Sequence, residues 1–167
     1  TKQHRREGEF IMIYIVLIIF MFTLSLIFQN KSHKSLIHIY YFTLFGLFLF
    51  SAFRFEFGCD WVTYQKMFYN AKGIDWLFIP KLRDPLFWTL LKWTNYMDFS
   101  YPFINIFCSA IFFIGVHILA RRQPNPLNFL VLMFPILIIN MPMSAIRQGA
   151  AIGLICIAFA AIIDKRP

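Results

Sequence analysis

Charged residues are scarce in this chain: Asp, Glu, Lys and Arg together make up 14% of its 167 residues. Hydrophobic residues make up 59%, and Phe alone occurs 22 times. A soluble domain of this size carries more charge on the surface that faces water. The composition therefore excludes an ordinary soluble globular protein and indicates a membrane protein.

Cysteine is rare, and the common catalytic patterns are missing. Cys59, Cys108 and Cys156 have neither metal-ligand nor disulfide spacing, and the last two lie inside apolar runs, where they are expected to pack as small hydrophobic residues. The sequence has no Ser-His-Asp order, no phosphate-binding glycine loop and no zinc motif. We therefore expect neither a metal nor a cofactor.

The net charge of +8 does not indicate a nucleic-acid-binding protein. The basic residues occur in short clusters between apolar runs, which is where membrane proteins place them. The expected partners are membrane lipids and not nucleic acid.

Long apolar runs predict an all-α, polytopic membrane bundle with about five transmembrane helices, since about 20 apolar residues cross the hydrocarbon layer as a helix. Pro135 predicts a kink or interruption in the fourth run. Gly46 and the pair Gly149 and Gly153 predict close helix contacts. The runs cover residues 10–28, 36–53, 101–120, 127–140 and 149–163.

Two short helices are predicted between the second and third runs. Asp60 is a suitable N-cap for a helix that carries Trp61, Tyr64 and Phe68 on one face. This face fits either an interfacial helix at headgroup depth or a helix packed on protein.

Asp84 followed by Pro85 predicts the start of the second short helix, which continues over residues 86–97. This helix is short for a membrane span, so it is predicted to be re-entrant or interfacial, with a short span as the alternative.

Both ends of the sequence are unusual. Residues 1–11 precede Met12, and the stretch from Arg5 to Glu9 can be encoded almost wholly by purines, as in a translated ribosome-binding site. We expect residues 1–11 to be a non-native leader and residues 12–167 to be the N-terminal part of a polytopic membrane domain. The chain stops directly after the last apolar run, which predicts a truncation.

Two clusters of charge beside apolar runs suggest one polar site at a membrane face. Arg54, Glu56 and Asp60 follow the second run, and Arg147 precedes the fifth. Arginine offers a planar fork to phosphate oxygens, and a helix N-terminus favours an anion. A lipid-linked diphosphate fits such a site, where Asp60, Glu56 or Asp84 would accept a proton from a sugar hydroxyl. The alternative is that the arginines snorkel at helix ends and the acids cap helices.

The distribution of basic residues allows two orientations. If residues 85–97 do not cross, the short basic loops after the first, third and fifth runs share the cytoplasmic side, and Arg54 and Arg147 face outward. If they cross, Arg54 and its neighbours are cytoplasmic, and the charge count slightly favours this second arrangement.

Four motifs follow one another along the chain: SAFRFEFGCDW at 51–61, VTYQKMF at 62–68, DPLF at 84–87 and IRQGAA at 146–151. Together they resemble the EpsG-type branch of the O-antigen and exopolysaccharide polymerases, the Wzy-like proteins. Cys59 stands where this family usually has Thr.

The resemblance implies a GT-C-like glycosyltransferase with several spans in the bacterial cytoplasmic membrane. Such an enzyme joins sugar repeat units carried on undecaprenyl diphosphate at the outer face, which selects the first orientation. A polysaccharide chain-length regulator or a flippase would be a partner. Family members are considerably longer, with further spans after the Arg-Gln helix, so the resemblance implies that this chain is an N-terminal portion.

The same resemblance assigns roles to individual residues. Arg54 and Arg147 would hold the diphosphate or stabilise it as a leaving group, and with Asp60 they form the predicted catalytic set. Asp60 and Gln148 would position the sugar or an arginine. The predicted substrate-binding set is Arg54, Asp60, Trp61, Asp84, Arg147 and Gln148.

Two other functions remain open. A transporter or flippase component for lipid-linked sugars would use the same basic residues at the membrane face. It would also need inverted halves and broken helices, of which Pro135 is the only hint in the sequence. A small non-catalytic membrane subunit would use its basic residues only as topological anchors.

Overall fold

A computed structural model describes residues 2–28, 33–53, 61–135 and 145–165, with side chains for all of these except residues 2–11 and 33–35. Within these ranges the chain is helical and has no strand, as predicted. The elements are α1 Lys2–Phe28, α2 His33–Ala52, α3 Trp61–Ala71, a 3₁₀ helix Trp76–Lys81, α4 Pro85–Tyr96, α5 Pro102–Ala120, α6 Pro126–Met133 and α7 Ile146–Asp164.

In the part of the chain that the structure describes, α5 and α7 are long and apolar enough to cross a membrane, by length and composition. Shorter apolar stretches lie in α1 and α2, at Met12–Phe28 and Leu36–Ala52. All four coincide with predicted runs. In the fourth run, α6 ends at Met133 and residues 134–135 continue in a π-type helical turn. The rest of this run lies outside the described residues, so the kink or interruption at Pro135 stays a prediction.

Side-chain hydrogen bonds show the direction of α2 relative to α5. Ser51 Oγ lies 3.0 Å from Ser109 Oγ, and the Tyr40 hydroxyl lies 2.9 Å from His117 Nδ1. Because the later residue of α2 pairs with the earlier residue of α5, the two helices are antiparallel. The end of α2 and the start of α5 therefore lie at one end of the bundle, which we call the site end.

The helices α5 and α7 are parallel. Ile104 and Ile146, near the starts of these helices, belong to one apolar cluster, and Arg122 forms an ion pair with Asp164 where the helices end. The start of α7 therefore also lies at the site end.

Glycines allow the backbones of α5 and α7 to touch. A Cβ built on Gly153 would lie 2.5 Å from the carbonyl oxygen of Ile111, and one built on Gly115 would overlap the backbone of Gly153. The close contact predicted at Gly46 is wrong, since a Cβ there would meet nothing within 4 Å among the described residues. Close approach needs small residues on both facing helices, and this condition is met at Gly115 and Gly153.

Two apolar clusters form the core. The first joins α1, α2, α5 and α6 around Tyr40, Phe112 and Phe134. The second lies at the site end and joins α3, α4, α5 and α7. Its members include the aromatic face of α3, namely Trp61, Tyr64 and Phe68, which is buried. Of the two environments left open for this face, the structure shows packing on protein.

Candidate functional site

An ion pair joins the start of α7 to the start of α4 at the site end. Arg147 Nη1 donates a hydrogen bond to Asp84 Oδ2. The side chains are 36% and 46% exposed, respectively, so both remain accessible from outside the bundle. A pair with this exposure stabilises the fold by only about 0.2–1 kcal/mol. Its main effect is therefore to fix where the guanidinium lies.

Two aromatic rings hold the same guanidinium from another side. Arg147 Cζ lies 5.6 Å from the Tyr64 ring centroid and 5.7 Å from the Phe87 ring centroid. The two rings pack edge to face with their centroids 5.5 Å apart. Cation–π contacts of this kind contribute roughly 0.5–1 kcal/mol at exposed sites. Arg147 is thus held by α3 and α4 together, while α7 supplies its backbone.

The guanidinium keeps hydrogen-bonding capacity beyond the Asp84 contact. An arginine side chain carries five N–H donors in a planar fork, and the ion pair uses Nη1. Arg147 also lies in the first turn of α7, where free backbone N–H groups add a partial positive charge. This arrangement favours an incoming anion with several oxygens, such as a phosphate.

Asp84 occupies an unusual backbone conformation. Helix α4 starts at Pro85, as predicted, but the Asp84 carboxylate makes no capping hydrogen bond. Its φ of 62° lies in the left-handed region, which costs most non-glycine residues roughly 1–2 kcal/mol but which Asp and Asn adopt more readily. Asp84 therefore occupies the predicted N-cap position, but its side chain does not cap the helix. The carboxylate instead binds Arg147, which provides a stronger, charge-assisted hydrogen bond.

The other predicted site residues are placed differently. Trp61 is buried, with its ring centroid 4.8 Å from that of Tyr101 in an edge-to-face contact. Gln148 is exposed in the first turn of α7. Arg54 and Asp60 lie outside the described residues. Of the predicted set, the structure therefore brings together Arg147 and Asp84.

Sequence reasoning missed the support that Tyr64 and Phe87 give to Arg147. Both residues stand in the quoted motifs, but their spacing does not show that two different helices face one arginine.

A buried amide was also missed. Asn105 on α5 is fully buried, and its Oδ1 and Nδ2 have no hydrogen-bond partner among the described residues. A lone Asn inside an apolar run was the available signal, because an unpaired buried amide is costly.

No group of three or more His, Cys, Asp or Glu residues suitable for a metal ion occurs in the described ranges. Both described cysteines, Cys108 and Cys156, are buried, as predicted.

The model of the EpsG family matches residues 37–167, which include α3, α4, α5 and α7 and hence the whole described site. The chain belongs to the EpsG family. Neither curated proteins nor solved structures give a match.

Membership of the EpsG family indicates the function of the chain in general terms. It makes the chain a polymerase-like membrane protein of exopolysaccharide synthesis, with lipid-linked sugars as its general class of substrate. The apolar helices α5 and α7 agree with a membrane location. The match does not extend to residues 1–36, so the non-native leader at residues 1–11 stays a prediction.

Proposed function

We propose that this member of the EpsG family forms part of a GT-C-like polysaccharide polymerase in the bacterial cytoplasmic membrane. Its substrates are glycans linked to undecaprenyl diphosphate, and it joins them at the outer face. The observation that carries the proposal is the Arg147 guanidinium, which Asp84, Tyr64 and Phe87 hold at the start of an apolar helix.

The reaction needs a cation where the donor sugar leaves its carrier. An acceptor hydroxyl attacks the anomeric carbon of the donor, the bond between that carbon and the diphosphate oxygen breaks, and the diphosphate leaves with the bonding electron pair. Fixed positive charge lowers this barrier, because negative charge develops on the leaving oxygen in the transition state. In this scheme Arg147 binds the diphosphate and stabilises it as it departs.

Helix directions support a role for Arg54 in the same step. The described part of α2 ends at Ala52 at the site end, and Arg54 follows two residues later in the sequence. We propose that Arg54 binds the same diphosphate as Arg147. Two guanidinium groups at one face provide enough donors for both phosphates of a diphosphate.

The acids have distinct proposed roles. Asp60 receives the proton of the attacking hydroxyl or positions the sugar, and Gln148 contributes a further polar contact with the sugar. Asp84 positions Arg147 rather than acting as the base, because its carboxylate is already bound to the guanidinium.

The direction of the helices also supports the first orientation. The segment from α3 to α4 leaves from the end of α2 and returns to the start of α5, and both points lie at the site end. Residues 85–96 then need not cross the membrane.

Arg147→Lys in the complete gene product tests the proposal. Lysine keeps the charge but loses the planar fork, so long polymer should disappear from gels of extracted polysaccharide while immunoblots show normal protein levels. Arg122→Lys is the matched control, since Arg122 also pairs with an aspartate but lies at the opposite end. Normal chain lengths in Arg147→Lys would reject the proposed role.

A further inference from the structure

Three adjacent apolar side chains project outward between α3 and α4. Trp76, Leu77 and Phe78 of the 3₁₀ helix are 45%, 79% and 57% exposed, respectively. We call these three residues the apolar tip. Water contact of three large apolar groups in a row is unfavourable. Such a patch therefore indicates a partner surface.

The apolar tip is held in this position by the fold. Ile79, the next residue, is buried and anchors the 3₁₀ helix. Asp75 accepts a hydrogen bond from the Leu77 amide at 3.4 Å, and the Leu82 amide donates to the Ile79 carbonyl oxygen at 3.0 Å. Both ends of the short helix are thus capped, so its outward face is a defined surface.

The segment that carries the apolar tip is rich in basic residues, and one of them contacts the tip. Lys81 Nζ lies 5.5 Å from the Phe78 ring centroid, and Lys92 Nζ donates to the Lys72 carbonyl oxygen at 2.9 Å. Arg83 adds a fourth base to this segment. Of the two acids between Lys72 and Lys92, Asp84 is already paired with Arg147. The segment therefore combines an apolar centre with an excess of positive charge.

The position of this segment relative to the candidate spans identifies the partner. It connects two points at the site end, where the apolar helices α5 and α7 begin. If these two helices cross a bilayer, one surface of that bilayer lies at the site end. Phe99, Phe103 and Phe107 stack in succession, with centroids 4.4 and 6.4 Å apart, from the preceding loop onto α5. Phe99 and Phe107 are exposed, as expected for aromatic residues at a membrane boundary.

We propose that the apolar tip inserts into the phospholipid leaflet at the site end, with Lys81 and Arg83 on anionic lipid phosphates. Tryptophan favours the headgroup boundary, Leu and Phe favour the acyl region below it, and basic side chains favour the phosphates above it. Insertion sets the height of Asp84, which follows the 3₁₀ helix closely in the chain. Only the further consequence, that the Arg147–Asp84 pair lies at the depth of a lipid diphosphate, rests on the proposed function.

Spin labelling measures this insertion without any assay of polymer. Leu77→Cys is labelled with a nitroxide in a background where Cys59, Cys108 and Cys156 are alanine, and the protein is reconstituted in vesicles of phosphatidylcholine and phosphatidylglycerol. Collisions with oxygen report lipid, and collisions with a water-soluble nickel chelate report solvent. Lys66→Cys, on the exposed side of α3, is the water-facing control, and Ile155→Cys, on the exposed face of α7, is the control within the span.

The label at Leu77 should give an oxygen-to-nickel collision ratio several-fold above that at Lys66 and below that at Ile155. A ratio equal to that at Lys66 would overturn the proposal. An immobile spectrum with few collisions of either kind would also overturn it, because another protein surface, such as a second copy, would then cover the tip. Lys81→Gln with Arg83→Gln should move the label toward water only when phosphatidylglycerol is present; an unchanged depth would overturn the phosphate contacts.

Tryptophan quenching gives a second measurement in the chain with its cysteines intact. Brominated lipids should quench the wild-type protein more strongly than Trp76→Phe, because Trp76 lies in the leaflet. Trp61→Phe should leave the quenched fraction unchanged or raise it, since Trp61 is buried in the protein. Equal quenching of the wild type and Trp76→Phe would contradict insertion.

Discussion

Asp84 and Arg147 form an ion pair although 63 positions separate them in the sequence. The pair joins the first turn of α7 to the residue that precedes α4. The backbone at Asp84 is left-handed, a conformation that Asp and Asn adopt more readily than other non-glycine residues. The position of Arg147 is therefore coupled to the conformation of one aspartate.

Substitutions of Asp84 should separate backbone strain from the function of the carboxylate. Asp84→Asn and Asp84→Gly tolerate a positive φ, so both should keep the thermal stability of the purified protein. Asp84→Ala should lose roughly 1–2 kcal/mol. All three should shorten the polymer, because none carries the negative charge that forms the ion pair with Arg147.

Asp98 is the matched control for the Asp84 series. It also has a positive φ, of 56°, so Asp98→Ala should lose stability to a similar extent. Polymer length should nevertheless stay normal in Asp98→Asn. Long polymer in Asp84→Asn would contradict the positioning role of Asp84.

Labelling from the two sides of the membrane should place Arg54 and Arg147 together. Single Arg54→Cys and Arg147→Cys variants should react with an impermeant maleimide added outside intact spheroplasts. Arg122→Cys should react only after lysis, because Arg122 lies at the opposite end of α5 from the site. Labelling of the two site positions from opposite sides would reject a shared diphosphate site.

The contact between α5 and α7 should make Gly153 intolerant of even one methyl group. Alanine normally favours a helix over glycine by about 1 kcal/mol. At Gly153 the added Cβ meets the Ile111 carbonyl oxygen, so Gly153→Ala should lower the unfolding temperature in detergent. Gly46→Ala, where the space is open, should leave that temperature unchanged or raise it. Equal effects of the two substitutions would contradict the close helix contact.

Asn105→Leu should raise stability, since it removes a buried amide without a hydrogen-bond partner among the described residues. The expected gain is about 1–3 kcal/mol in the free energy of unfolding. Asn95 is the control: its Nδ2 donates to the carbonyl oxygens of Phe68 and Leu91, each at 2.9 Å, so Asn95→Leu should be destabilising. A loss of stability in Asn105→Leu would show that its amide is bonded in the membrane.

The sequence alone determined the helical class, the start of α4 at Pro85 and the family. These features are local. A helix satisfies its backbone hydrogen bonds within its own segment, and the end of an apolar run or a proline is visible in a few residues. The family motifs are likewise short stretches whose residue types can be read directly.

Tertiary structure decided which charged side chains form an ion pair and which glycine lies at a close helix contact. The Asp84 carboxylate had two possible uses, capping α4 or binding a base, and only the approach of α7 selected the second. The buried face of α3 and the contact at Gly153 likewise depend on the direction and rotation of neighbouring helices. Those angles arise from packing among distant segments, which apolar periodicity within one segment does not encode.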